Sequence, residues 1–157
     1  MRWLDTDFGR YVLCPAAAVR NWQGTEVDAI ISQEIASVLV PGVGHVISLG
    51  GEPMPVAYFP ESGTIVRWYF GESDEDVVEA VRLALLREDW VAGAKIRVAG
   101  EMTLFDSASR GYDISPHECL QVHLEDGDYE VLSVETDYEE TTSLRLDRLV
   151  RAHLPKC

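Results

Sequence analysis

The fold is decided by residues 118–150, which read ECLQVHLEDGDYEVLSVETDYEETTSLRLDRLV. In residues 118–124 apolar and polar side chains alternate, which is the pattern of a strand with one buried face. The Asp126-Gly127 pair predicts a tight turn, so residues 128–135 are expected to return as the partner of the first strand. Residues 142–150 alternate again and predict a third strand. This part of the chain therefore predicts an antiparallel sheet.

Similar strand signals run through the rest of the chain, where β-branched and aromatic residues stand between Pro and Gly breaks. They predict strands at residues 10–14, 34–40, 45–49, 54–59, 64–70, 94–98 and 101–105. Gly50-Gly51-Glu52-Pro53 and Ala99-Gly100 each predict a tight connection between two strands that pair with each other. In all, about nine strands are expected.

One helix interrupts the strands. Ser73 is followed three residues later by Asp76, an approximate capping box at a helix N-terminus. Apolar residues then recur at helical spacing and predict a buried stripe: Val77, Ala80, Val81, Ala84 and Leu85. The pattern predicts a helix over residues 73–88, and a second short helix is expected around residues 27–32. The predicted fold class is α+β, a mostly antiparallel curled sheet or sandwich with one main helix, in a single domain of residues 1–157.

The charge of the chain narrows the choice of partner. The chain has 157 residues, with 27 Asp and Glu against 13 Lys and Arg, and a formal net charge of -14. Hydrophobic residues make up 46% of it, which is typical of a folded globule and not of a disordered acidic tail. A pI near 4.5 predicts repulsion from phosphate backbones and anionic lipids, so neither nucleic acid nor a membrane is expected as a partner. A cationic protein is favoured instead.

The cysteines and the N-terminal residues indicate the cellular compartment in which the protein is expected. Cys14, Cys119 and Cys157 are an odd number without a CxxC pair, which predicts a reducing compartment and no disulfide framework. Asp5 and Asp7 precede the first apolar run, where a secretory signal would carry basic residues. The apolar stretches fall far short of the roughly 20 residues that span a bilayer. A cytoplasmic protein is therefore expected.

Candidate metal sites have ordinary structural explanations. His117, Cys119 and His123 lie at even spacing on one side of a predicted strand, but a zinc site needs about four ligands and no fourth is visible. Residues 125–128 hold oxygen ligands around a glycine, yet they lack the longer loop and closing glutamate of an EF-hand. There is no nucleophile elbow, phosphate-binding loop or dinucleotide fingerprint. No metal, cofactor or catalytic residue is predicted.

The acidic residues are unevenly spread. No Lys or Arg occurs from Gly111 to Leu144, a stretch of 34 residues that holds ten carboxylates. If this stretch forms adjacent strands and loops, its charges share one region of the surface. Two interpretations stay open. Either the region binds a cationic partner that relieves its self-repulsion, or it is a solvated face that keeps the protein soluble.

The chain also resembles a known family. The resemblance is carried by short motifs in a fixed order: Trp3-Leu4-Asp5-Thr6, Tyr11-Val12-Leu13-Cys14-Pro15, Trp22-x-Gly24, Gly50-Gly51-Glu52-Pro53, Tyr58-Phe59-Pro60, Val66-Arg67-Trp68, Leu104-Phe105-Asp106-Ser107-Ala108 and Gly127-x-Tyr129-x-Val131. Together they resemble the Imm21 (immunity protein 21) family of bacterial polymorphic toxin systems over most of the chain. The resemblance implies a small α+β protein that binds and neutralises a cognate toxin from the same gene neighbourhood, by occlusion and not as an enzyme.

The charge and the resemblance together predict how such a partner binds. A toxin that acts on nucleic acid has a basic active cleft, and an acidic surface can fill it by mimicking phosphate charge. The expected partner is therefore a basic cognate toxin domain, for instance a nuclease, held by acidic residues with exposed aromatic residues as anchors. The predicted contact residues are Glu118, Glu125, Asp126, Asp128, Tyr129, Glu130, Glu135, Asp137, Tyr138, Glu139 and Glu140.

Two other classes of function stay open. A small hydrolase-type enzyme would use Asp106 with His117 or His123, and it would need a concave pocket in which polar groups converge. A stand-alone ligand-binding module would line a groove with Trp22 and Trp68, which requires that both side chains are accessible. For Trp22, packing in the core is the favoured role.

Overall fold

Ten strands and one α-helix build the part of the chain that the computed structural model describes, residues 1–6, 9–24 and 35–152. The strands are β1 (Tyr11–Pro15), β2 (Ile35–Val40), β3 (Gly44–Leu49), β4 (Val56–Phe59), β5 (Thr64–Phe70), β6 (Val91–Val98), β7 (Met102–Asp106), β8 (Cys119–Val122), β9 (Gly127–Tyr138) and β10 (Thr142–Arg151). Helix α1 spans Asp74–Ala84, and short 3-10 helices span Ala16–Asn21, Gly111–Asp113 and Pro116–Glu118. The short helix predicted at residues 27–32 lies outside the described residues. No helix in the described part is long and apolar enough to cross a membrane.

The strands form two five-stranded sheets in which every pair is antiparallel. The first sheet has the order β2-β3-β1-β7-β8 and the second has the order β4-β5-β10-β9-β6. The predicted α+β class, a mostly antiparallel sandwich with one main helix, is therefore confirmed. The longest pairing is the β9–β10 hairpin, which runs in register from Thr142 opposite Tyr138 to Arg151 opposite Tyr129.

Three predicted strand pairs are wrong. The connection at Gly50-Gly51-Glu52-Pro53 leads from β3 in the first sheet to β4 in the second, and Ala99-Gly100 leads from β6 back to β7. The turn at Asp126-Gly127 likewise joins β8 in the first sheet to β9 in the second. Turn residues set how sharply the chain changes direction. The neighbour of each strand is decided by burial of the apolar faces, which here meet across two layers.

The main core lies between the two sheets. Tyr11 of the first sheet packs there with Ile65 and Val131 of the second. The Tyr11 hydroxyl donates to the carbonyls of Leu4 and Met54 at 3.1 and 2.7 Å, so its polar tip has partners inside the core. Alternate residues of each strand fill this layer, and the residues between them face outwards.

Helix α1 covers the outer face of the second sheet. The Ser73 hydroxyl accepts a hydrogen bond from the Asp76 backbone N–H at 3.2 Å and caps the N-terminus, as the sequence predicts. Four residues of the predicted stripe are fully buried, namely Val77, Ala80, Val81 and Ala84, and Leu85 is partly buried. The helix ends at Ala84 and not at residue 88, because the Leu86 and Arg87 backbone N–H groups bond to the Leu83 and Ala84 carbonyls three residues back and tighten the last turn. The Trp90 indole N–H also donates to the Ala84 carbonyl, at 3.2 Å.

The outer face of the first sheet carries a smaller core. Trp22 is 1% exposed there, and its ring meets Phe105 edge-on at a centroid distance of 6.1 Å. Its indole N–H donates to the Ser107 carbonyl at 2.8 Å. Cys14 is buried in the same cluster. The favoured core role of Trp22 is therefore confirmed.

Candidate partner-binding surface

The predicted contact residues follow the long strand β9 and are therefore spread along the molecule. β9 has 12 residues, so its ends lie about 36 Å apart at about 3.3 Å per residue. Residues 125–128 lie at its start, and residues 137–140 lie at its end. Glu118 precedes β8, in the other sheet. The predicted residues do not share one region of the surface.

At the start of β9, basic side chains from neighbouring strands hold the acidic residues. Arg151 donates to the Glu125 carboxylate at 2.8 Å and to the Asp126 carbonyl at 2.6 Å. Arg97 lies 3.6 Å from the Asp128 carboxylate. Both arginines belong to strands paired with β9 and lie outside the basic-free stretch of sequence. The charge at this end is therefore partly offset within the protein.

The acidic residues in the middle of β9 also face basic side chains. Glu135 accepts a hydrogen bond from the Tyr69 hydroxyl at 2.9 Å, and Arg145 lies 3.9 Å from its carboxylate. Glu130 lies opposite Lys95 in the β6–β9 pair. These two positions carry less uncompensated charge than the sequence suggests.

Two of the predicted contact residues support the fold. Tyr129 is only 6% exposed, because it lies on the face of β9 that fills the main core, and its hydroxyl donates to the Glu125 carbonyl at 2.7 Å. The expectation that Tyr129 is an exposed anchor is wrong. The Glu118 carboxylate accepts a hydrogen bond from the Ser115 backbone N–H at 2.9 Å, and hydrogen bonds from Ser115 lower the pKa of Glu118.

At the far end of β9, the carboxylates of the β9–β10 turn lie beside those of the helix. Tyr138, the last residue of β9, is half-buried and packs against the apolar cluster that α1 covers. The turn and the first turns of α1 form a surface that we term the acidic end. It is defined by eight carboxylates: Glu72, Asp74, Glu75, Asp76, Glu79, Asp137, Glu139 and Glu140. Arg82 offsets one of them through an ion pair with Glu79 at 2.6 Å.

The phenol of Tyr138 lies in the field of this acidic end. Its pKa is raised above the ordinary value, first by loss of solvent and then by the negative charges of Glu139, Glu79 and Asp76, while Arg82 acts in the opposite direction. Carboxylates from the turn and from the helix act on the same side chain. The two elements therefore meet in one surface.

Sequence reasoning finds only part of the acidic end. The run ESDED at residues 72–76, followed by Glu79, is a visible signal, but acidic residues at the start of a helix are already explained by the helix dipole. Nothing in the sequence places this run beside residues 137–140. The packing of α1 on the second sheet brings them together.

One cavity bears on the hydrolase alternative. Asp106 and His117 both line a cavity of about 370 Å³. Both oxygens of Asp106 are engaged, since one accepts from the Thr6 hydroxyl at 2.5 Å and the other from a backbone N–H at 2.9 Å. His123 lies 3.1 Å from Glu101 and does not line this cavity. Residues 1–6, 9–24 and 35–152 contain no group of three or more His, Cys, Asp or Glu that could hold a metal ion.

The ligand-binding alternative required Trp22 and Trp68 to be accessible together. Trp22 is buried on the outer face of the first sheet, so the predicted groove is wrong. Trp68 is half-buried on the outer face of the second sheet, where it contacts Trp3 with ring centroids 5.2 Å apart. The two tryptophans pack in separate clusters.

Comparisons with known proteins agree with the resemblance seen in the sequence. No curated protein and no solved structure matches the chain. The profile of the Imm21 family, described as immunity protein 21, matches residues 2–142. This match covers most of the 157 residues, including β1 to β9, helix α1 and the acidic end. The chain therefore belongs to the immunity protein 21 (Imm21) family.

Proposed function

We propose that this protein neutralises a basic cognate toxin domain by occlusion, and that the acidic end is the surface that covers the toxin. Membership of an immunity protein family implies a cognate toxin as the partner. The observation that carries the choice of surface is the meeting of eight carboxylates from the helix region and the β9–β10 turn, with two cations beside them, Arg82 at Glu79 and the N-terminal ammonium at Asp74. Because opposite charges attract at long range, such a surface steers a cationic partner into contact.

The proposal includes the chemistry of the toxin and the mode of inhibition. A nuclease fits best, because its cleft must attract phosphate groups and would attract carboxylates in the same way. Inhibition needs no catalytic residue of the immunity protein, since covering the cleft excludes the substrate. The proposed site of action is the cytoplasm, where such a toxin would meet its nucleic acid.

The remaining predicted contact residues have a weaker part in this proposal. Apart from the buried Tyr129, which has no part in it, they are Glu118, Glu125, Asp126, Asp128, Glu130 and Glu135. Most of them have partners within the protein, so we propose that their carboxylates add to the negative potential at a distance and that the acidic end makes the contact.

The test reverses charge at four positions of the acidic end, with Glu75, Asp137, Glu139 and Glu140 each changed to Lys. The partner is the toxin domain at the C-terminus of the protein encoded by the neighbouring gene. Association rates are measured at low and at high ionic strength. We expect the low-salt association rate to fall by about tenfold or more and its salt dependence to flatten, because steering is lost.

A matched variant controls for the change in total charge. It carries the same four-charge reversal at exposed positions outside the acidic end: Glu52, Glu61, Glu88 and Asp113. This control should keep more of the association rate than the acidic-end variant. If both variants lose the same amount, the acidic end is not the contact surface and the proposal is overturned.

A further inference from the structure

Phe70 is held out of the core at the end of β5. Its side chain is 56% exposed, whereas Trp68, two residues earlier, packs beneath the helix. Residues two apart on a regular strand share a face, but β5 carries one extra residue here: Trp68 lies opposite Leu144 of β10, and Phe70 lies opposite Ser143. Such a bulge bends a strand and re-aims the following side chain. A large aromatic side chain is thus left in solvent.

The exposed ring lies at the border of the acidic end. Ser143 lies opposite Phe70 on one side and opposite Asp137 on the other, so the Phe70 and Asp137 backbones are about 10 Å apart across three strands and their side chains share one face of the sheet. This is the face turned away from α1, because the neighbouring Leu144 packs in the cluster that α1 covers. Glu72 follows Phe70 by two residues in the chain. An exposed aromatic side chain with carboxylates at its border has the layout of a binding hot spot beside a polar rim.

A shallow depression lies on the helix side of the same surface. It has a volume of about 430 Å³ and is lined by Met1, Asp74, Glu75, Val78 and Glu79. Val78 is 48% exposed and offers an apolar contact between carboxylates. The N-terminal ammonium of Met1 lies 3.9 Å from Asp74, and Arg82 pairs with Glu79, so two of the three carboxylates have a cation beside them. Glu75 beside Val78 suits a Lys or Arg side chain of the partner, whose stem is apolar and whose head is cationic.

Two buried polar atoms beside Phe70 give an observation that does not depend on charge. The Trp68 indole nitrogen and the Thr142 hydroxyl oxygen have no hydrogen-bond partner among the described residues. Both lie close to Gly71, where a Cβ would be 2.5 Å from the first atom and 3.2 Å from the second. Since both atoms are buried, a partner protein does not reach them; they show instead that the backbone beside Phe70 is closely packed at Gly71.

We infer that Phe70 is the apolar anchor of the acidic end and inserts into a recess on the basic face of the toxin. The inference rests on the proposed function and adds which contact holds the complex together once charge has steered it into place. The carboxylates govern the association rate, and Phe70 governs the dissociation rate. A second copy of this chain is a poor occupant, because two acidic ends would face each other with like charge.

The experiment compares Phe70→Ala with the wild type, using the same toxin domain from the neighbouring gene. We expect the dissociation rate to rise by about thirtyfold, the level expected of a hot-spot residue, while the association rate and its salt dependence stay unchanged. Phe70→Leu, which keeps an apolar side chain, should recover part of the loss. Thermal unfolding checks that each variant is folded, which is expected because Phe70 is largely exposed.

Tyr112→Ala is the matched aromatic control, since Tyr112 is 70% exposed and lies in a 3-10 helix remote from the acidic end. Its dissociation rate should equal that of the wild type. Suppose that Phe70→Ala dissociates at the rate of the Tyr112→Ala control while the acidic-end charge variant still associates slowly. The inference about Phe70 is then overturned, and the proposed function stands. If the wild type does not bind the toxin domain, both are overturned. If sedimentation shows a wild-type dimer that Phe70→Ala separates, the surface is a self-interface and the inference is overturned.

Discussion

At the residue scale, a buried ion pair fixes the place where the chain passes from one sheet to the other. Arg67 and Asp147 are 1% and 0% exposed, and an Arg67 guanidinium nitrogen donates to the Asp147 carboxylate at 2.9 Å. Another nitrogen of the same group donates to the Gly50 carbonyl at 2.6 Å. Gly50 directly follows β3 of the first sheet, and Arg67 belongs to the second. The Ser133 hydroxyl donates to the other Asp147 oxygen at 2.7 Å.

We predict that Asp147→Asn lowers the free energy of unfolding by about 3–5 kcal/mol, because it leaves the Arg67 charge buried without its counter-ion. The double variant Arg67→Met with Asp147→Leu should lose less, since it removes both charges together. Urea unfolding followed by circular dichroism measures both values. Arg97→Ala breaks the exposed pair of Arg97 with Asp128 and serves as the control, with little change expected. Equal stability of Asp147→Asn and the wild type would contradict the role given to the pair.

The sequence gives few signs that Arg67 and Asp147 form a buried ion pair. Arg67 stands in a strand signal where charged residues normally face solvent, and Asp147 lies 80 residues later in the chain. Alternation does place Arg67 on the same face as the buried Ile65. Only the packing of the two sheets shows that the face of β5 that carries Arg67 is buried there, and that Asp147 lies beside the Arg67 guanidinium.

At the element scale, the sequence predicts where the strands and the helix lie better than it predicts which strands pair. β5 occupies residues 64–70 as predicted, and the start of α1 is fixed by its cap. Both are local features, because they depend on side-chain alternation and on a hydrogen bond between residues three apart. The partner of β9 is a non-local feature. The turn signal at Asp126-Gly127 predicts that β8 pairs with β9, whereas β6 and β10 are the strands that pair with it.

We predict that Ser73→Ala lowers the free energy of unfolding by about 1 kcal/mol, because the Asp76 backbone N–H loses its acceptor at the start of α1. Ser73→Asn keeps an acceptor at the same position without adding a charge and should stay close to the wild type. Thermal and urea unfolding of both variants measure the difference. Identical stabilities of the alanine and asparagine variants would show that the cap is not what starts the helix.

At the scale of the whole molecule, the net charge of -14 is concentrated and not evenly distributed. The start of β9 is partly offset by Arg97 and Arg151, while the acidic end keeps most of its charge. Like charges held close together destabilise the folded state, and salt screens them. Stability is therefore expected to depend on ionic strength chiefly through this one surface.

We predict that adding sodium chloride at neutral pH raises the melting temperature of the wild type. The acidic-end variant, with Glu75, Asp137, Glu139 and Glu140 changed to Lys, should melt higher than the wild type at low salt and respond less to added salt. Differential scanning calorimetry measures both effects. The variant with reversals at Glu52, Glu61, Glu88 and Asp113 is the control. If the melting temperature of that control rises by the same amount, the repulsion is spread over the whole surface.

By itself the sequence determined the strands, the helix, the α+β class, the sign of the charge and the resemblance to the Imm21 family. These follow from composition and from patterns within a few residues of each other, which do not depend on distant contacts. The tertiary structure alone decided that three short turns cross between sheets, that Tyr129 is buried, and that residues 72–79 join residues 137–140 in the acidic end. Each of these depends on which apolar faces are buried against each other, and that choice is made between residues far apart in the chain.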